Sequence, residues 1–456
     1  MTAKVEVLGM QGARRLPGSV PEVALLAAPA VLQTLSDTIM QVVDSAIVGR
    51  VGVTELGAVG FGGVWLWTML VIFFGTGTGV QTFVSQAFGA GDAKRCGYWA
   101  WQGLYALLPP ACVWFVLIAA GFGPLLYVLG PSPELQRLAT HYAHARLCGA
   151  PALVATVVFT SFFRGIGDTR TPLVAAIGAN LVNAVLAYGL ILGRLGLPAW
   201  GVVGAGAEMA IGTWTYLSIM LVAIFRRRII TAYGTRPPRP VWSDMRRFTR
   251  TSLPVGGQWI LDMVSFALFS TIIARMGNVQ MAASQAMIQL LSLSFMQAFG
   301  ISIACGALVG RYVGARDLAA AERSHRSALQ LGLLLAAVVA TLFLSVPDLL
   351  LGIFTRDAEV IRLGRPLLAL GALFQLVDAV GIIAGGSLRG AGDTRWPFAV
   401  QASLAWLVRL PLVYLVAVVL QGGVTGAWLG ELGYVVVLSS TWLARFRAGA
   451  WRTIRI

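Results

Sequence analysis

Acidic residues stand inside otherwise apolar stretches of this 456-residue chain, and five of them are the groups with chemistry to offer. Asp37 and Asp44 lie in PAVLQTLSDTIMQVVDSAIVG, Glu208 in GAGAEMAIG, Asp262 in LPVGGQWILDMVSF and Asp378 in LFQLVDAVGIIAGGSLRG. An ionisable group surrounded by apolar sequence is expensive to bury, so each is a functional candidate by default. Seven residues are nearly two helical turns, which sets Asp37 and Asp44 on one face about 10 Å apart. Gln33 and Gln41 extend that face. Two carboxylates on one poorly solvated face raise each other's pKa, which lets one of them hold a proton or a sodium ion. Asn180 and Asn183, at i and i+3, share a face and offer amides to a carboxylate or a cation. Glu208 is a further acid that could face them. Asp262 follows Gln258 by one turn, and Asp378 follows Gln375 by one turn; both pairs suit a cation or proton site. The structural alternatives are equally concrete. Asp37 or Asp44 could pair with a cation such as Arg409, Arg409 could neutralise Asp378 or Glu431, and the asparagines could join helices.

The surroundings of these residues define the class of molecule. The sequence is 57% hydrophobic with mean hydropathy +0.78 and only 12% charged, about half the charge of a typical soluble protein. Runs near twenty apolar residues read as membrane-crossing helices, and we place twelve between residues 20 and 446. The expected fold is an all-α polytopic membrane protein, twelve transmembrane helices in two pseudo-symmetric six-helix lobes. Residues 1–19 read as a short basic tail without the apolar core of a cleaved leader.

The net charge of +15 does not call for nucleic acid. With the N-terminus inside, 25 of the 34 Lys and Arg residues fall on inward loops and tails and seven on outward loops. That is the positive-inside asymmetry, and it sets both termini in the cytoplasm. The four cysteines are scattered, lack ligand spacing and read as small apolar residues.

A phrase is spelled twice: RGIGDTRTP at 164–172 and RGAGDTRWP at 389–397, 225 positions apart. At the same offset Pro29 pairs with Pro254, Asp37 with Asp262, and FGAGD (88–92) with VGARD (313–317). A constant offset over such a length marks an internal duplication. Each half holds six spans, an even number, so the repeats are parallel. The expected organisation is a tail (1–19), an N-lobe (20–225), a cytoplasmic basic linker (226–250), a C-lobe (251–446) and a second tail (447–456). The repeated phrase reads as a structural corner. Glycine makes the turn, Asp-Thr caps the next helix, and arginine holds the headgroup side. Neither it nor GTGTG (75–79) follows a strand, so the dinucleotide fingerprint lacks its context; small residues at 75–79 would let helices approach closely. No GxSxG, HExxH, Walker or paired CxxC pattern is present, so the chain does not read as an enzyme.

Taken together the motifs resemble the multidrug and toxic compound extrusion (MATE) family. VVDSAIVGRVG is similar to that family's first-span signature, and QAFGAGD, GRYVGARD, the doubled RGxGDT and FQLVDA extend the likeness from about 20 to 446. The resemblance implies two six-helix lobes forming a V, and export of organic cations in exchange for protons or sodium. It matches Asp44 to the family's first-span acid, Asp262 to the seventh-span acid and Asp378 to the tenth-span acid, as in the NorM-like branch. Departures are Asp37 where glutamine is common, Ala187 at the second fifth-span polar position, and Met209 beside Glu208 where threonine is usual.

The expectation is a secondary active multidrug efflux antiporter. It would export amphipathic organic cations for H+ or Na+ by alternating access. Coupling residues would be Asp44, Asp37, Asn180, Asn183, Glu208, Asp262 and Asp378, with sodium, if used, at Asp262, Asp378 or Asp44. Substrate contacts would come from Gln33, Gln258, Trp259, Gln375, Met287 and Trp65, with Met69 and Phe295 as further aromatic or methionine candidates. No cofactor and no fixed metal are expected. The place is a bacterial inner membrane, the working unit a monomer. The alternative is a lipid-linked precursor flippase, which would want basic residues lining the cleft; a channel or a lipid-modifying enzyme fits the residues less well.

Overall fold

The computed structural model describes residues 16–130, 132–355 and 357–454. Lys4, Arg14, Arg15, Arg356 and Arg455, counted above in the charge asymmetry, lie outside them. Eleven helices among the described residues are long and apolar enough to cross a membrane. They are α1 (Val20–Val48), α2 (Val53–Gly89), α3 (Ala93–Leu129), α5 (Arg170–Ile191), α6 (Gly201–Ile224), α7 (Trp242–Ala274), α8 (Asn278–Gly314), α9 (Leu318–Ser345), α10 (Ala358–Ala391), α11 (Arg395–Val419) and α12 (Gly423–Arg447). The twelfth, α4, is a pair, Pro133–Leu147 and Ala150–Gly165, bent by 50° at the break. Twelve helices in two six-helix halves are thus the architecture. Helix α7 begins at Trp242, inside the stretch expected to be connector, and Arg227–Tyr233 is a further short helix.

The local chemistry of the repeat explains the helix starts. Asp92 accepts a hydrogen bond from Arg95 N, and its counterpart Asp317 accepts one from Ala320 N, so FGAGD and VGARD are one N-cap used twice, for α3 and α9. The turn needs a left-handed residue just before the cap. Gly91 takes φ +82° in the first copy, whereas Arg316 is held at φ +60° in the second, a conformation unfavourable for a residue with a Cβ. The repeated RGxGDTR corner also turns on glycine, Gly167 at φ +88° and Gly392 at φ +92°. There the copies diverge. Asp168 caps α5, accepting from Arg170 N and Thr171 N, while Asp393 is turned to an ion pair with Arg445 at 2.9 Å.

The halves meet where α1 packs on α8 and α2 on α7, helices related by the repeat. Small residues set that distance: a Cβ on Gly75 would lie 2.8 Å from the Gly256 Cα, too close for any side chain. This is the role expected for GTGTG. Across the other pairing, Glu22 on α1 accepts from the Tyr312 hydroxyl at 2.8 Å and lies 3.9 Å from Arg311 on α8. Cys96 and Cys305 are buried, Cys112 is half-buried and Cys148 is exposed, so the expectation of four core cysteines holds for two. α5 ends in a π-helical turn at Ala187–Ile191, and α11 carries two, Ala405–Arg409 and Leu415–Val419. Such wide turns redirect the side chains that follow and recur at functional sites.

Candidate functional site

In the first half the expected residues form two clusters. Asn180 on α5 donates to Ser36 Oγ at 2.9 Å and to Asp37 Oδ1 at 3.2 Å on α1. One turn along, with its amide oriented by the hydrogen-bond network, the Asn183 nitrogen donates to the Glu208 carbonyl at 2.8 Å and to Glu208 Oε2 at 3.3 Å. Glu208 is fully buried, Asp44 is buried, and each has a carboxylate oxygen without a protein partner. Arg146 is the cation acting on both acids, yet its guanidinium donates to Tyr142 Oη at 2.9 Å and also contacts the Met209 sulfur. Asp37 instead feels Arg164. The two first-span acids therefore serve different neighbourhoods, although the helix places them on one face. Pairing of either with Arg409 is ruled out, because that residue is engaged elsewhere.

Gln33 departs from its expected part in substrate contact. Its Nε2 donates to Tyr216 Oη at 3.1 Å and its Oε1 accepts from Arg164 Nη2 at 2.9 Å, so both ends of the amide are consumed. The same bond corrects the reading of the first arginine of each RGxGDTR copy as a headgroup anchor. Arg164 turns inward, and so does Arg389, whose Nη2 lies 3.4 Å from Ser302 Oγ. Both line a small cavity of about 50 Å³ between the halves, together with Gln81 and Trp259.

The second half holds a feature larger than that seam cavity, a cavity of about 390 Å³. α7 supplies Asp262, α10 supplies Gln375 and Asp378, α11 supplies Gln401 and Arg409, and α12 supplies Glu431 and Tyr434. Arg409, set on the last residue of a π turn, clamps Glu431 with two bonds of 2.8 and 2.6 Å and stacks over the Tyr434 ring at 5.1 Å. Its expected service to Glu431 is what the structure has; Asp378 has no such clamp. Asp262 accepts from Gln401 Nε2. Asp378 feels Asp262 and Glu431 as like charges and Arg409 as the opposing one. With Glu431 consumed by Arg409, two carboxylates are left in excess. Around them several polar atoms are buried without partners: Gln375 Nε2 and Oε1, Gln401 Oε1 and the Tyr434 hydroxyl. Buried polar groups are nearly always bonded, so this group is one that a guest could complete.

The wall of the cavity is aromatic and thioether. Trp259 lies edge-on between Phe74 and Phe299, both at 5.7 Å, at the seam of the halves, and Phe295 stacks on Phe299. Met263, Phe266, Met296 and Trp428 complete it. Met287, expected here, is instead fully buried in the packing around Phe269 and Trp428. Trp65 and Met69 pack against the core of the first half. Gln258 is buried one turn before Asp262 with its Nε2 unpartnered, and it does not line the cavity. Gln401 and Tyr434 were not anticipated; a polar side chain within an apolar span was the available signal for Gln401.

Comparison with known proteins bears on the family and the fold. A Thermotoga maritima protein described as a probable multidrug resistance protein NorM is 28% identical over 436 residues, 94% of this chain and 92% of that one. A Xanthomonas axonopodis pv. citri protein of the same description is 30% identical over 436 residues, 94% and 95% of the two chains. Among solved structures, a MATE transporter in the straight conformation superposes with TM-score 0.87 at 18% identity, covering 95% of this chain and 97% of that one. A mutant of a Vibrio cholerae MATE transporter gives TM-score 0.85 at 18% identity, covering 95% and 98%. At that identity the likeness carries the fold alone. One family model, MatE, matches residues 29–189 and again 254–415. Those segments begin at Pro29 and Pro254, the prolines paired by the internal repeat, and on this doubled match the chain belongs to the MatE family.

Proposed function

We propose that the protein is a secondary active multidrug efflux antiporter of a bacterial inner membrane, with both termini cytoplasmic, working as a monomer without a cofactor. It exports amphipathic, often cationic organic compounds in exchange for H+ or Na+. An N-lobe (20–225) and a C-lobe (251–446), joined by the basic linker 226–250, rock between outward- and inward-open states. The relatives described as multidrug resistance proteins favour this class of substrate.

One observation carries the reading. The aromatic-walled cavity holds Asp262 and Asp378 in excess of its one arginine, beside amide and hydroxyl groups without partners. An organic cation satisfies both features: charge against the carboxylates, rings against Trp259 and Phe295. Protonation of Asp378 or Asp262, or sodium bound between them, cancels the charge that holds the guest, which is the elementary step of exchange. Asp44 with Glu208 and Asn183, and Asp37 with Asn180, form the corresponding sites in the first half.

A second reading has its own observation. Arg164 and Arg389 face the seam between the halves, as a flippase for lipid-linked anions would want. Their cavity is about 50 Å³, too small for a sugar-phosphate headgroup, and the larger acidic cavity favours cations. The test is drug susceptibility of cells expressing Asp262→Asn or Asp378→Asn at unchanged protein level. Loss of resistance to organic cations is expected. Full resistance in both variants would overturn the proposal.

A further inference from the structure

Two hollows run together at the end of α5 that bears the RGxGDTR corner. One, of about 450 Å³, opens between that corner, α1, α6 and the helix Arg227–Tyr233, and its rim carries Arg170, Arg226 and Arg228. The other, of about 380 Å³, runs along the outer surface between α5 and α6 over Val174, Ile219 and Val222. Arg170, Thr171, Ala223 and Arg226 line both, so the hollows adjoin at these residues. The three arginines are exposed, and their guanidinium groups form no ion pair among the described residues. The one acid of the upper hollow, Asp168, is already consumed by Arg170 N, Thr171 N and the Thr171 hydroxyl. Three arginines without ion pairs, set against the single carboxylate of Asp168, thus head a groove whose walls are lipid-facing, Val174 being 64% and Val222 65% exposed. From Ser218 to Arg226 the groove follows α6 for about 12 Å, most of the ~15 Å depth of one hydrocarbon leaflet.

We propose that this groove binds one molecule of anionic phospholipid, its phosphate held by Arg170, Arg226 and Arg228 and an acyl chain lying between α5 and α6. Guanidinium groups suit phosphate by charge and by their fork of donors. Basic pockets between membrane helices recognise anionic headgroups in this way. The other available occupant is the chain's own start, since Leu25 and Leu26 of α1 line the upper hollow. Residues 1–15 carry Lys4, Arg14 and Arg15 against Glu6 alone, the same sign as the rim, so charge selects the lipid. The site does not depend on the transport reading: it needs only that this end of α5 meet a headgroup layer. Its consequence would reach the first-half cluster, because α5 carries Asn180 and Asn183 and α6 carries Glu208.

The experiment is native mass spectrometry and thermal melting of the purified full-length protein. It is titrated with phosphatidylglycerol, with phosphatidylcholine, and with inorganic phosphate in phosphatidylcholine. Variants are the groove triple Arg170→Gln, Arg226→Gln, Arg228→Gln, a charge-matched triple Arg236→Gln, Arg239→Gln, Arg246→Gln away from the groove, and Val174→Trp, which fills the groove without changing charge. Each arginine beside an anionic headgroup is worth about fivefold in affinity, three on the order of a hundredfold. Wild type and the charge-matched triple should retain one phosphatidylglycerol and melt higher with it than with phosphatidylcholine. The groove triple should bind it on the order of a hundredfold more weakly, and Val174→Trp should lose it. Equal loss in both triples, retention in Val174→Trp, or an equal gain from phosphate alone would overturn the proposal. So would lipid retention that appears only after residues 1–15 are removed.

Discussion

Consider Glu431→Gln. Arg409 and Glu431 are each 5% exposed and joined by bonds of 2.8 and 2.6 Å. Removing one partner of a buried pair leaves a charge without its counter-ion, at a cost of about 3–5 kcal/mol. Glutamine keeps the shape and one acceptor oxygen, so one of two charge-assisted bonds, about 1.5–3 kcal/mol, is lost outright. Asp262 is near enough to act on the stranded guanidinium, which puts the total near the lower end, about 3 kcal/mol. Arg409→Leu with Glu431→Leu removes both charges, and such exchanges are often neutral. The double variant should therefore be the more stable of the two. The same logic predicts function. In Glu431→Gln the freed arginine cancels charge at Asp262 and Asp378, and resistance to organic cations falls. In the double variant that arginine is gone, and resistance returns. Denaturant unfolding in detergent followed by tryptophan fluorescence, with the susceptibility assay, measures both. A Glu431→Gln protein as stable as wild type, or a double variant less stable than the single, would refute the reasoning.

Other expectations follow from the repeat and the cavity. Arg316→Gly places glycine where the first copy has Gly91, and should raise stability by up to about 1 kcal/mol in the same unfolding assay. Asp168→Ala should cost about 1 kcal/mol as a lost helix cap. Asp393→Ala, which strips Arg445 of its buried partner, should cost more, about 2 kcal/mol, despite the identical motif. Apparent affinity for a fluorescent organic cation should weaken as pH falls, because protonation removes the negative charge at Asp262 and Asp378. That slope should flatten in Asp262→Asn with Asp378→Asn, as read by equilibrium binding to the detergent-solubilised protein.

The features legible in the sequence are those written locally. Apolar run length marks the spans, and a constant offset of 225 shows that Asp92 and Asp317 do the same job at two helix starts. The acids were legible for the same reason, since a carboxylate in an apolar span is conspicuous wherever it points. Side-chain direction was not. Arg164 ends a span and looks like a headgroup anchor, but its partner is Gln33 on α1, 131 residues away. Asp168 and Asp393 occupy one motif, and only the nearness of Arg445 on α12 separates their roles. Met287 has the composition of a cavity wall and the position of a core residue. Gln401 and Tyr434 enter the site through partners on other helices, Asp262 and Arg409, and no spacing within α11 or α12 encodes those encounters.

In the proposed mechanism, excess carboxylate in the second-half cavity couples an ion gradient to export. Its most direct test is efflux of a fluorescent organic cation from liposomes containing the purified protein, with a pH gradient and a sodium gradient imposed separately. Efflux should be driven by one of the two gradients and abolished in Asp378→Asn, with the protein still folded and inserted. No response to either gradient, or equal efflux from Asp378→Asn, would contradict it.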